Sequence, residues 1–93
     1  MHSSSRSKIV FSRQVQKFID SLDKKQRNQI AKKVLALEEN QYPSDSKKLK
    51  NTGYFRIDIG EYRAVYLPGN SEIAILMLGK RNDDEIYKLF KRQ

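Results

Sequence analysis

"YFRIDIGEYRAVY", residues 54 to 66, decides the fold, because it reads as a β-hairpin closed by a Gly-X turn at Gly60-Glu61. With those two residues as the loop, Ile59 faces Tyr62 and Asp58 faces Arg63 across the strands. Side chains alternate along a strand, so Ile57, Ile59, Tyr62, Ala64 and Tyr66 share one face. Arg56, Asp58, Arg63, Val65 and Leu67 share the other. The first set is a core face. The second fixes two guanidinium groups on a rigid, concave surface with a carboxylate between them. Its simplest reading is a cross-strand salt bridge from Asp58 to Arg63, with Arg56 as diagonal neighbour, contributing roughly 0.2–1 kcal/mol. Arginines tied to a strand also cannot swing easily into water, and this leaves a functional reading open.

Outward from the hairpin, "PGNS" (68 to 71) turns the chain into a third strand, "IAILMLG" (73 to 79). Its unbroken apolar run predicts burial on both faces. Upstream, "KIVFS" (8 to 12) is a short strand ending at Ser12, a suitable helix N-cap. Val15, Phe18, Ile19 and Leu22 then follow the spacing of one amphipathic helix. Asp23 opens a second helix, with Gln26 completing a capping box and Ile30, Val34 and Leu37 forming its buried stripe. Lys25 and Lys32 point the opposite way. "NQYPSDSKK" (40 to 48) reads as a loop from its Pro, Ser and Asp content. "NDDEIYKLFKRQ" (82 to 93) reads as a short helix with an Asn82/Glu85 capping box. The predicted order is β-α-α-β-β-β-α, an α+β fold. A helical hairpin (about 13 to 39) packs on the Ile57/Ile59/Tyr66 face of a small curved antiparallel sheet, and a short C-terminal helix follows.

The 93 residues suit one domain, expected at 8–93 after a flexible polar lead-in at 1–7. No apolar run approaches membrane-spanning length, and "MHSSSRSK" lacks the apolar segment of a secretory signal. With no cysteine there is no disulfide framework or thiolate metal site, and a cytoplasmic location is the expectation. Formal charge is +8. Residues 1–51 carry 12 basic and 5 acidic groups, so the excess sits in the N-terminal half. Such a domain suits a polyanionic partner, nucleic acid first and an acidic protein second, although solubility charge explains the composition equally well.

Two further residues stand out downstream. Arg81 follows the apolar strand directly, at a strand-to-helix junction. Tyr87 lies off the Ile86–Leu89–Phe90 stripe of the short helix and is not obliged to enter the core. Taken singly, each reads as a flanking residue. Together, the β-α-α-β-β-β-α order, "KKLKNTGYFRIDIGEYRAVY" and "GKRNDDEIY" resemble the RelE-type toxins of the RelE/ParE superfamily, from about Ile9 to Phe90. These are the small toxins of toxin–antitoxin operons.

The resemblance implies an mRNA interferase acting in the ribosomal decoding site, partnered by a cognate antitoxin and by mRNA with small-subunit rRNA, and by no membrane. It places the family's essential basic residue of the first hairpin strand on Arg56, where lysine is commoner. It places the arginine of the "YR" motif on Arg63, that of the "GKR" motif on Arg81, and the C-terminal tyrosine on Tyr87. The family's second lysine, assigned there as proton donor, is Asp58 in this chain.

The residues fit that chemistry. The one histidine, His2, sits in the polar tail, and no metal-binding cluster is present, so histidine-pair and two-metal nucleases are poor matches and no cofactor is expected. RNA supplies its own nucleophile, the 2′-hydroxyl. Planar guanidinium groups then clamp the phosphate oxygens, Arg63 and Arg81 directly and Arg56 at the 2′-oxygen or a neighbouring phosphate. Tyr87 stacks on a base or relays a proton. Asp58 orients Arg63, since a carboxylate beside two arginines is a poor base. Lys24, Lys25, Lys32, Lys33, Lys47, Lys48, Lys50 and Lys80 are the expected sequence-independent RNA contacts. Two competing readings are a ParE-type gyrase-inhibiting toxin, whose chains often carry "HxR" in place of "GKR", and a non-catalytic nucleic-acid or antitoxin-binding module on the same fold.

Overall fold

The computed structural model describes residues 7–81. Strand β1 (Lys8–Phe11) leads into helices α1 (Arg13–Asp20) and α2 (Lys24–Leu35), the latter tightened by a 3-10 turn at Ala36–Glu38. Strands β2 (Lys47–Lys48), β3 (Phe55–Ile59), β4 (Tyr62–Leu67) and β5 (Glu72–Lys80) follow. They form one five-stranded sheet in the order β1-β5-β4-β3-β2.

The helix boundaries are set by side chains at their N-termini. The Ser12 hydroxyl accepts from the Val15 N–H, and Asp23 and Gln26 make the reciprocal capping box. Each satisfies donors that an open first turn leaves without partners. The β3–β4 hairpin has the expected register, with Ile59 opposite Tyr62 and Asp58 opposite Arg63. Gly60 has φ 60, the left-handed conformation that the first position of such a turn requires. A Cβ there would also collide with the Gln29 side chain of α2.

The hairpin's apolar face is the core. Ile57, Ile59, Tyr62, Ala64 and Tyr66 pack with Val15 of α1, Ile30 and Val34 of α2, Leu37, and Ile73, Ile75 and Leu78 of β5. Phe18 and Tyr62 meet edge-on, ring centroids 5.8 Å apart, tying α1 to the sheet. The Tyr66 hydroxyl donates to the Gln41 carbonyl at 2.6 Å, so its burial leaves no polar atom unmatched.

Four expectations need correction or limits. The sheet is mixed: β1 pairs with β5 in parallel, Ile9 opposite Ile73. No tight turn links these two strands, so their relative direction follows from the path of the helical hairpin between them. Past the end of β1, Ser12 and Gln14 continue the pairing. The Gln14 amide donates to the Leu78 carbonyl and accepts the Leu78 N–H, at 3.0 and 3.1 Å. Second, Lys47 and Lys48, expected within a loop, pair antiparallel with Arg56 and Phe55. Third, β5 is buried on one face only: Ile73, Ile75 and Leu78 are buried, while Ala74, Leu76 and Met77 are half-buried. A bulge between Val65 and Tyr66 in the β4–β5 register interrupts simple alternation there. Fourth, Ser7, expected in the lead-in, is buried, its hydroxyl donating to the Gly69 and Asn70 carbonyls. The expected C-terminal helix, with Asn82, Glu85 and Tyr87, lies outside the described residues.

Candidate functional site

On the sheet face opposite the helices, Arg63 lies between Asp58 on β3 and Gly79 on β5. Its Nε donates to Asp58 Oδ1 at 2.7 Å, which fixes the plane of the guanidinium. Arg56 Nη1 stands 3.9 Å from the same oxygen, an ion pair without a hydrogen bond. Both arginine side chains are about one-fifth exposed, at 21% for Arg56 and 19% for Arg63, so their charge acts from a surface only partly screened by water.

Arg81 joins them from the end of β5. Its backbone N–H donates to the Glu61 carbonyl and its Nη1 to the Gly60 carbonyl, so it leans against the hairpin turn. The hydrogen bond from Arg63 is the main cause that lowers the Asp58 pKa, and the charges of Arg63, Arg81 and Arg56 add to it against an opposing desolvation. Three cations thus share one carboxylate, and Asp58 is held ionised. Such a carboxylate is a weak proton acceptor and a firm anchor for guanidinium groups. Gly79 adds no side chain beside Arg63, and among the described residues a Cβ placed there would meet nothing within 4 Å. The centre of the same face is apolar, with Val65 fully buried and Met77 half-buried.

Of the residues expected at the site, Arg56, Asp58, Arg63 and Arg81 come together, and Tyr87 lies outside the described residues. The expected lysine set divides. Lys24, Lys25 and Lys32 are exposed on α2, which covers the opposite side of the sheet, and Lys33 is paired with Asp45 at 2.7 Å. Lys80 sits opposite the core residue Tyr62 and Lys48 opposite Phe55, so alternation places both away from the arginines. Lys50 is exposed just beyond β2. Lys47 alone pairs with an arginine, Arg56, and shares its face. A two-residue strand is too short for periodicity to reveal, and its only sequence signal is the reach back from the hairpin. The described tyrosines with raised pKa, Tyr62 and Tyr66, owe the shift first to burial and belong to the core face.

Among the described residues no three His, Cys, Asp or Glu side chains cluster as metal ligands would. No helix there is long and apolar enough to cross a membrane.

The same architecture occurs in solved toxin structures. The archaeal RelE in a RelE–RelB complex from Pyrococcus horikoshii OT3 is 28% identical, with TM-score 0.74 over 83% of this chain and 97% of that one. YoeB from Staphylococcus aureus, solved as a dimer, is 29% identical, with TM-score 0.67 over 84% and 99%. A double arginine-to-alanine variant of E. coli toxin RelE in the free state shares the fold at 22% identity, with TM-score 0.78 over 94% and 97%. No curated protein sequence matches the chain. Residues 9–85 match the family described as ParE toxin of type II toxin-antitoxin system, parDE. The chain therefore belongs to the ParE toxin family, within the RelE/ParE superfamily, and is the toxin of a type II toxin–antitoxin system.

Proposed function

We propose that the toxin is an endoribonuclease that cuts ribosome-bound mRNA and so stops translation. The observation that carries this reading is the convergence of Arg56, Arg63 and Arg81 on Asp58, from three adjacent strands, on the face not covered by helices. The 2′-oxygen attacks the adjacent phosphorus and the bond to the 5′-oxygen breaks, leaving a 2′,3′-cyclic phosphate and a 5′-hydroxyl. Negative charge grows on the phosphoryl oxygens, where fixed guanidinium donors act without reorganising. Arg63 and Arg81 clamp these oxygens. Arg56 assists at the 2′-oxygen or the next phosphate. Asp58 orients Arg63 through the 2.7 Å bond. Tyr87 takes the base-stacking or proton-relay role. The RelE–RelB complexes among the similar structures support a cognate antitoxin as partner.

The family's own description as ParE favours a second reading, a toxin that inhibits gyrase by binding. Purified toxin added to programmed ribosomes separates the two. Cleaved message ending in a cyclic phosphate is the expected result. Intact message together with blocked gyrase supercoiling would sink the ribonuclease reading.

A further inference from the structure

Four neighbouring strands each present one cation to the arginine face: Lys47 on β2, Arg56 on β3, Arg63 on β4, and Arg81 just past β5. Lys47 is directly opposite Arg56. Arg63 is diagonal to Arg56, and Arg81 is two residues beyond Gly79, the partner of Arg63. Strand and diagonal spacings make this a track of about 20 Å across the sheet. Only its far end is unclaimed: among the described residues Lys47 has no carboxylate within 4 Å and no side-chain hydrogen bond, and it is exposed.

We infer that Lys47 is a substrate-positioning residue that holds the RNA phosphate on the β2 side of the Arg56 contact, so that the single strand crosses the sheet from β2 to β5. The inference rests on the ribonuclease reading above. Its chemistry differs along the track in a way that suits the roles. Rigid forks stand where charge develops, and a flexible point charge stands where a non-reacting phosphate needs only to be gripped. Lys48 provides an internal control, being exposed and equally unpaired but on the other face, opposite Phe55.

The test compares native toxin, Lys47→Ala, Lys47→Arg and Lys48→Ala. Binding of a short single-stranded RNA with 2′-deoxy sugars is followed by fluorescence anisotropy across salt concentration, and cleavage is followed on programmed ribosomes. Lys47→Ala is expected to bind about two- to fivefold more weakly at moderate salt. Its salt slope should fall by about 0.7, the share of one single-strand phosphate contact. KM should rise with kcat unchanged, Lys47→Arg should restore it, and Lys48→Ala should match native toxin. Equal losses from Lys47→Ala and Lys48→Ala in a toxin that binds RNA overturn this inference alone, as does a fall in kcat with KM unchanged. A native toxin that neither binds nor cuts RNA overturns it together with the ribonuclease reading.

Discussion

The two faces of the β3–β4 hairpin are built from alternate residues of the same eleven-residue stretch, Phe55 to Leu67 less its turn, yet they obey different rules. On one, Ile57, Ile59, Tyr62, Ala64 and Tyr66 are all essentially without solvent exposure and their identities answer to volume and shape. On the other, Arg56, Asp58 and Arg63 answer to charge and direction, around a buried Val65. The core face holds the strands flat enough for the charged face to be preorganised. Perturbing one should move stability and perturbing the other should move rate, and that separation is what the following substitutions test.

The largest effect belongs to the core face. Ile57 is fully buried against both helices' packing layer, and Ile57→Ala leaves a cavity costing about 2–5 kcal/mol of stability. Denaturant unfolding should show the loss, while cleavage per folded molecule stays near native. If activity per folded molecule fell a hundredfold with stability unchanged, the division between the faces would be broken.

Arg63→Ala and Arg81→Ala reverse the pattern. Removing one preorganised donor to transition-state charge costs about 2.7–4 kcal/mol of barrier, or 10²–10³ in rate. The ion pairs lost are partly exposed and contribute about 1 kcal/mol or less to folding. Single-turnover cleavage and unfolding curves on the same preparations provide both numbers. Full activity in Arg81→Ala would remove the clamp from the ribonuclease reading.

A smaller effect is expected at the sheet's parallel edge. Gln14→Ala removes both hydrogen bonds to Leu78 at a partly buried position, each contributing about 0.5–1.5 kcal/mol. Backbone hydrogen exchange at Leu78 should quicken. Unchanged exchange there would show that the amide bridge does not hold the end of β5, on which Gly79 and Arg81 depend.

These contrasts also explain what the sequence made legible. Alternation about Gly60-Glu61 reveals both faces of the hairpin, because a two-residue loop leaves one register and burial separates the apolar set. The caps at Ser12 and Asp23 are equally visible, being local side-chain to backbone bonds. The direction of β1 is not. Its partner β5 lies more than sixty residues away, Ile9 against Ile73, and four residues carry no periodic mark of parallel or antiparallel pairing. β2 is hidden for the same reason, and with it the placement of Lys47 beside Arg56. The half-exposed side of β5 escapes because an apolar run reads alike whether its second face is packed or only shaded.

The finest test of the division concerns Asp58, which belongs to the charged face by chemistry and to the fold by its salt bridge. Its carboxyl pKa is lowered in the folded state, first by the Arg63 hydrogen bond. A lowered folded pKa means that the stabilisation is complete above the unfolded value of about 3.9 and is lost as pH falls through the folded value. Native toxin should therefore lose stability on acidification below about pH 4, and Asp58→Asn should flatten that part of the profile. The same variant separates two roles in catalysis. An amide oxygen still accepts a hydrogen bond from guanidinium, so an orienting Asp58 predicts that Asp58→Asn keeps much of the cleavage rate. A general base predicts collapse, because the amide takes no proton. Asp58→Lys provides the third comparison: faster cleavage would mean that the native carboxylate stands where a proton donor serves better. A loss in Asp58→Asn as deep as that of Arg81→Ala would assign proton transfer to the carboxylate. Its low pKa would then have to be lifted by bound substrate, since three surrounding cations hold it ionised in the free toxin.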